Sequence, residues 1–312
     1  MSNLSRRSLL RGSAAAALSL SSSSAAAAGM LPKVAAVAAA PRAQHPILLS
    51  CKYGMVAIKG SMIDKFQMLA RLGYDGVELD SPAGYSADEV KAAQDASGLP
   101  VHGVVDSVHW SKRLSSPDEA VRDEGIAALE GAIRDAKAFG GSSVLLVPGR
   151  VADPKTENHD HVWQRSITGI RQVLPLAAKL GIHILIENVW NGFCYDHEGA
   201  ADQSAERFAA YIDEIGSPWV GMYHDLGNHR KYGKVEEWVR TLGHRIVKVD
   251  VKGWGFDNGW CKIGEGSVDW PEVRKALREV NFTGWATAEV GGGAEEWLGE
   301  VKERMERVLR SD

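Results

Sequence analysis

The sequence predicts a single closed parallel (βα)8 barrel preceded by an export segment, and three observations carry that prediction. From His45 onward, short apolar runs alternate with longer amphipathic stretches, the signature of repeated βα units. Eight such units fill about 265 residues, close to the roughly 250 that an eight-unit barrel needs, so no room is left for a second folded domain. Residues 1–45, by contrast, contain no Asp or Glu, the first acid in the chain being Asp64.

The strands are read in order as PILLSC (46–51), DGVEL (75–79), VHGVVD (101–106), SVLLVP (143–148), HILIENV (183–189), VGMYHD (220–225), IVKVDVK (246–252) and WATAEV (285–290). Between and after them lie amphipathic segments at 61–72, 86–97, 117–139, 159–180, 204–215, 234–242, 269–280 and 294–310. Gly73, Gly98, Gly140, Gly181, Gly216 and Gly243 each fall where a helix must stop and a strand begin, as left-handed C′ residues do. Ser86 with Glu89 spells a capping box, and Ser204 and Asp269, the latter with Pro271 in the first turn, are placed to cap theirs. Strands such as SVLLVP and HILIENV are apolar on both faces, as expected of a parallel sheet covered outside and packed within. No GxGxxG follows the first strand, which weakens a dinucleotide-binding reading.

The leader reads as targeting sequence. SRRSLLRG, Ser5 to Gly12, pairs Arg6 and Arg7 with Leu-Leu ahead of an Ala/Ser/Leu run that ends in small residues near Ala28 and Ala40. The expectation is a twin-arginine signal and leader over 1–45, cleaved near residue 28 or 40, ahead of a barrel over 46–312. The implied partner is the twin-arginine export machinery and the implied location is the periplasm. The serine block Ser19–Ser24 argues against a stable membrane anchor, because a spanning helix wants about 20 mostly apolar residues.

Composition then narrows the partners. With 45% hydrophobic and 24% charged residues the chain is of ordinary globular type, so disorder, collagen and coiled coil are excluded. Its net charge of −4 becomes −7 once residues 1–28, which hold three arginines and no acid, are removed. Such a chain repels polyanions on average, and no nucleic-acid partner is expected. Cys51, Cys194 and Cys261 show no CxxC spacing and are expected as free thiols. Surface helices leave a homo-oligomer possible.

In a barrel of this kind, chemistry sits at the C-terminal ends of the strands. Strand five ends ILIENVWN with Glu187, strand six YHDLGNH with Asp225, strand seven VKVDVK with Asp250, and strand eight ATAEV with Glu289. Four carboxylates on four consecutive strands repel one another unless a cation lies between them. An oxygen-only donor set favours one divalent ion, Mn²⁺ or Mg²⁺, over Zn²⁺. The alternative for each acid taken singly is a salt bridge to a nearby Lys or Arg.

Taken together, IENVWN, DLGNHRKYG, RIVKVDVKGW, IGEGSVDWPEV and TGWATAEVGGG resemble the xylose-isomerase-like TIM-barrel family of sugar isomerases and 3-epimerases, a likeness running from about Ile47 to the C-terminus. The resemblance implies a metal held by Glu, Asp, His and Glu on strands five to eight, which puts Glu187, Asp225 and Glu289 on matching positions. The third ligand departs from the pattern: Asp250 stands where the family usually has His. It further implies that Glu187 and Glu289 are a catalytic pair, one removing a proton next to a ketose carbonyl and the other returning it to the opposite face. His109 and Trp110 after strand three, and Asn228 and His229 after strand six, are candidate sugar contacts. Lys252 is expected either to touch a substrate oxygen or to offset the extra carboxylate. Lys262 lies in the Gly- and Trp-rich loop GFDNGWCKIGEG, expected to act as a lid. Glu78, Asp80 and Asp106 are expected to face the sugar from the far rim. The function expected is a metal-dependent isomerase or epimerase of a non-phosphorylated ketose or keto-glycoside. Alternatives on the same site are a lyase or hydratase acting on an oxidised sugar, and a carbohydrate-binding barrel without catalysis.

Overall fold

The computed structural model describes residues 47–311, so the expected export signal and leader lie outside the described residues. Eight parallel strands close into a ring: β1 (Ile47–Lys52), β2 (Gly76–Ser81), β3 (Val101–Asp106), β4 (Ser143–Leu146), β5 (His183–Glu187), β6 (Val220–Asp225), β7 (Ile246–Val251) and β10 (Gly284–Ala288). Between the last two, β8 (Gly253–Gly255) and β9 (Gly259–Cys261) pair antiparallel as a short hairpin. The ring closes where β1 lies between β2 and β10, with Ile47 opposite Gly284 and Cys51 opposite Ala288.

Among the described residues, eight α-helices cover the outside: α1 (Met62–Arg71), α2 (Ala87–Ser97), α3 (Glu119–Ala138), α4 (His159–Leu180), α5 (Glu206–Ile215), α6 (Val235–Leu242), α7 (Trp270–Glu279) and α8 (Glu295–Arg310). Their buried faces and the outward faces of the strands form the main core, which includes Leu49, Phe66, Val104, Ile133, Ile170, Phe208 and Val273. A second, smaller cluster of Leu145, Leu185 and Tyr223 fills part of the ring's interior. Among the described residues, no helix is long and apolar enough to cross a membrane.

Local chemistry sets the boundaries. Ser86 and Glu89 form the expected capping box, and Ser61 with Asp64 and Asn158 with His161 form two more. Asp269 caps α7 by accepting from the Glu272 N–H; at α5 the N-cap position is Ala205, and Ser204 Oγ, one residue earlier, accepts from the Glu206 N–H at 3.4 Å. Gly98, Gly181 and Gly216 end α2, α4 and α5 in the left-handed region. After α7 that role falls to Asn281, at φ 54°.

Among the strand ends that differ by one or two residues from expectation, those of β5 and β1 bear on the site. β5 stops at Glu187 rather than running to Val189, because the Asn188 side chain takes over the pairing with β6: its Oδ1 accepts from the Asp225 N–H at 2.8 Å and its Nδ2 donates to the Asp225 carbonyl at 3.0 Å. β1 runs one residue past Cys51, which brings Lys52 to the mouth of the barrel. Cys51, Cys194 and Cys261 are free thiols.

Candidate active site

Alternation along the strands aims the functional side chains inward. On β7, Lys248 and Asp250 share the interior face, and Lys252 follows just beyond the strand. Glu289 lies one residue past β10 and is held in line by its N–H, which donates to the Val251 carbonyl at 3.2 Å. Glu187 and Asp225 are the last residues of β5 and β6. One carboxylate oxygen from each of Glu187, Asp225, Asp250 and Glu289 lies within 4.8 Å of the others. The first three are buried, and the Glu289 side chain keeps 33% of its exposure.

Two lysines flank this cluster. Lys52 Nζ lies 3.0 Å from both Glu78 Oε2 and Asp250 Oδ2 and 3.7 Å from Glu289 Oε1. Lys252 Nζ lies 3.0 Å from Asp225 Oδ2, contacts Glu289 Oε2, and donates to Asn228 Oδ1 at 3.2 Å. Lys252 therefore pairs with Asp225 and Glu289 and not with the extra carboxylate Asp250, whose partner is Lys52. Lys52 was not foreseen; the signal was the Lys directly after PILLSC, read as lying outside the first strand. A glycine makes room for Lys252: a Cβ at Gly227 would stand 2.5 Å from the Lys252 Cγ and 2.8 Å from its carbonyl oxygen.

The electrostatics divide the proposed proton-transfer pair. Burial, reinforced by Glu289 and Asp250, pushes Glu187 well above the ordinary carboxylate range. Burial also acts upward on Glu289, but Lys52 and Lys252 overcome it and its net displacement is downward. Asp250 and Asp225 are raised by burial, with Lys52 opposing at Asp250 and Lys252 opposing at Asp225. Two neighbouring carboxylates held apart in this way favour opposite protonation states, the arrangement that acid–base catalysis uses.

The residues fit a hard divalent cation. All four donors are carboxylates, and Asp250 Oδ1 is buried with no hydrogen-bond partner. Moreover, five acids, counting Glu78, face only Lys52 and Lys252 at this level. Asp250 keeps the reach of a ligand in the position where His is usual.

Above the carboxylates lies a cavity of about 410 Å³. Glu187, Glu289, Asn228, Lys252, His109 and Trp110 line it, together with Trp190 and Trp260, whose rings lie 5.1 Å apart. Asn228 Nδ2 donates to Glu187 Oε1 at 3.2 Å. His109 Nδ1 accepts from the Val147 N–H at 3.4 Å, and burial, helped by Lys52, lowers this imidazole to about 3, so it is neutral. Trp110 is exposed.

His229 and Lys262 sit elsewhere. His229 is buried among Tyr195, Phe208, Tyr232 and Trp238, with Nδ1 against Asn188 Nδ2 at 3.2 Å, and does not line the mouth cavity. Lys262 leaves the β8–β9 hairpin toward α8 and pairs with Glu300 at 2.8 Å. The loop read as a lid is this hairpin, with Trp260 over the cavity rim. On the far side, Glu78 accepts from Tyr223 Oη at 3.2 Å; burial raises Asp80, and raises Asp106 to about 6.

A closed parallel barrel with an acidic, cation-competent cluster at its C-terminal mouth defines a class of (βα)8 proteins whose chemistry is carried by the strand ends. The model of the xylose isomerase-like TIM barrel family matches residues 66–310, and the chain belongs to that family. A putative L-ribulose-5-phosphate 3-epimerase, SgbU of Escherichia coli K12, is 23% identical over 274 residues, 85% of this chain and 87% of that protein. The chain matches only 58% of the length of another relative, the uncharacterized protein MJ1311 of Methanocaldococcus jannaschii, at 25% identity. Among solved structures, D-psicose 3-epimerase in the presence of D-fructose shares the fold at a TM-score of 0.67 and 20% identity, over 85% of this chain and 100% of that one. The apo 3-keto-D-glucoside 4-epimerase YcjR from E. coli does so at 0.69 and 17%, over 84% and 98%.

Proposed function

We propose that the protein is a sugar isomerase or epimerase that works by proton transfer next to a carbonyl, with one Mn²⁺ or Mg²⁺ held by Glu187, Asp225, Asp250 and Glu289. The observation that carries this reading is the convergence of those four carboxylates within 4.8 Å beneath a sugar-sized cavity. Family membership and epimerase relatives support it. When bound, the cation supplies positive charge that polarises the carbonyl and acidifies the adjacent C–H.

The chain's own residues do the rest. Glu289, held ionised by Lys52 and Lys252, accepts the proton from the carbon next to the carbonyl, leaving an enediolate. Glu187, three strands round the ring from Glu289, delivers a proton to the other face, and the centre inverts. Asn228 fixes the Glu187 carboxyl through its Nδ2. Trp110, Trp190 and Trp260 offer ring faces to the sugar, and neutral His109 offers a hydrogen-bonding nitrogen. Paired lysines at the site and no free arginine in the cavity lining favour a non-phosphorylated ketose or keto-glycoside.

Incubation with a panel of such sugars and Mn²⁺ in deuterated water tests the reading. Solvent deuterium should enter the carbon next to the carbonyl, as read by NMR; a panel-wide absence of exchange refutes it. A second proposal concerns location: Arg6-Arg7 and the acid-free leader support twin-arginine export to the periplasm. Lysines in place of Arg6 and Arg7 should hold the protein in the cytoplasm, and continued export would refute this.

A further inference from the structure

A second cavity, of about 550 Å³, opens beside the mouth between the β8–β9 hairpin and α8. It is larger than the mouth cavity and shares Lys252, Trp260 and Glu289 with it. The two cavities are therefore neighbours, with Lys252, Trp260 and Glu289 between them. Both volumes fall within the roughly 300–1,000 Å³ of small-molecule sites, so together they exceed what one monosaccharide ring requires.

The groove's chemistry says what belongs there. Its walls are the rings of Trp260 and Trp297 and the aliphatic side chains of Ile263, Val290 and Val301. The Trp297 indole is held by its Nε1, which donates to the Gly291 carbonyl at 2.8 Å, and Lys262 Nζ lies over its ring, 5.2 Å from the centroid. Three cations reach the groove, and none is free: Lys252 pairs with Asp225 and Glu289 and lies 5.5 Å from the centroid of the Trp260 ring. Lys262 pairs with Glu300 at 2.8 Å. Arg304 bonds Glu300 at 2.8 Å, Glu265 at 3.1 Å and the Ile263 carbonyl at 3.0 Å. An anionic group would have to break these pairs, whereas a neutral ring has only to take the place of the Lys262 ammonium on the Trp297 face.

We propose that this groove is a second subsite, which holds the aglycone or neighbouring ring of a glycoside whose sugar ring occupies the mouth. The proposal rests on the mouth being the sugar site. It makes the preferred substrate a glycoside with a flat or ring-shaped neutral substituent rather than a free ketose, and it gives Trp297, which helical spacing alone assigns to the core, a direct binding role.

Titration calorimetry tests it independently of turnover. The probes are p-nitrophenyl glucosides of both anomeric forms, the matching methyl glucosides and glucose 6-phosphate, with Mn²⁺ present. The protein should bind one aryl glucoside on the order of 10-fold more tightly than its methyl counterpart. Trp297→Ala should erase that preference and leave methyl glucoside binding unchanged. Gly291→Leu should do the same by filling the groove, since a Cβ at Gly291 meets no atom within 4 Å. Equal binding of aryl and methyl forms, no binding of either, tighter binding of glucose 6-phosphate, or a preference that survives both substitutions overturns the proposal. Deuterium exchange on a free keto-sugar reads the mouth alone. Exchange without an aryl preference refutes the subsite only, and an aryl preference without exchange refutes the proton-transfer reading only.

Discussion

Two polar layers lie one above the other inside the barrel, and they treat burial in opposite ways. In the lower layer, a chain of short hydrogen bonds crosses the ring: Lys248 Nζ to His102 Nδ1 at 2.8 Å, His102 Nε2 to Ser50 Oγ at 2.8 Å, Ser50 Oγ to Thr287 Oγ1 at 2.9 Å, and Thr287 Oγ1 to Tyr223 Oη at 2.6 Å. In the upper layer the carboxylates outnumber their lysines, and Asp250 Oδ1 has no partner. Burial of this depth is tolerated only when polar groups are satisfied. The chain from Lys248 to Tyr223 meets that condition through its own hydrogen bonds, whereas the upper layer leaves carboxylate oxygens that a cation could satisfy.

The sharpest way to break this contrast is to remove a proton acceptor above. Glu289→Gln should lower the rate of solvent exchange on the order of 10²–10⁴-fold while leaving thermal unfolding nearly unchanged. If exchange survives, the upper layer is not the chemical one. Next, Asp250→Asn should weaken Mn²⁺ binding by at least about 10-fold in titration calorimetry, because it removes one of the four donors. Unchanged affinity would place the ion elsewhere.

Below, the expected effect moves to stability. Thr287→Val removes the hydroxyl between Ser50 and Tyr223 and should cost about 1–3 kcal/mol in denaturant unfolding, with Mn²⁺ affinity intact. A loss of metal binding there would merge the two layers into one unit. The smallest effect is a slope against pH. The His109 imidazole has its affinity for protons lowered to about 3, so between pH 6.5 and 3 the unfolded chain binds the extra proton and stability falls as the solution is acidified. His109→Gln should flatten the unfolding free energy between pH 6.5 and 5 by up to about 2 kcal/mol. An unchanged slope would mean that the imidazole is not held neutral.

The fold was legible because each strand carried a strong local signal. IVKVDVK and HILIENV are apolar, β-branched and bracketed by Gly243 and Gly181, and both stand within two residues of where they were read. The four acids were legible for the same reason, since strand-end position fixes direction. Contacts made across the ring were harder to read. Lys52 joins Glu78 from the next strand and Asp250 from the far side of β10, and no spacing in the sequence brings those three together. His229 was misplaced because it directly follows Asn228, yet the turn sends Asn228 into the mouth and His229 into the aromatic layer against Trp238. Likewise Gly103 gives no sign in the sequence that a Cβ there would stand 2.9 Å from the buried Lys248 Nζ.

The seam between β1 and β10 sets a timetable for the whole molecule. Lys52 leaves the ribosome early and Glu289 among the last, yet the two share a mouth, and the ring acquires that mouth only when the strand ending at Ala288 slots in beside Ile47–Cys51. Synthesis runs from the N-terminus, so an unfinished chain holds Glu187, Asp225 and Asp250 without the partner that completes their cage. Any ion captured before that moment would be held by three ligands instead of four.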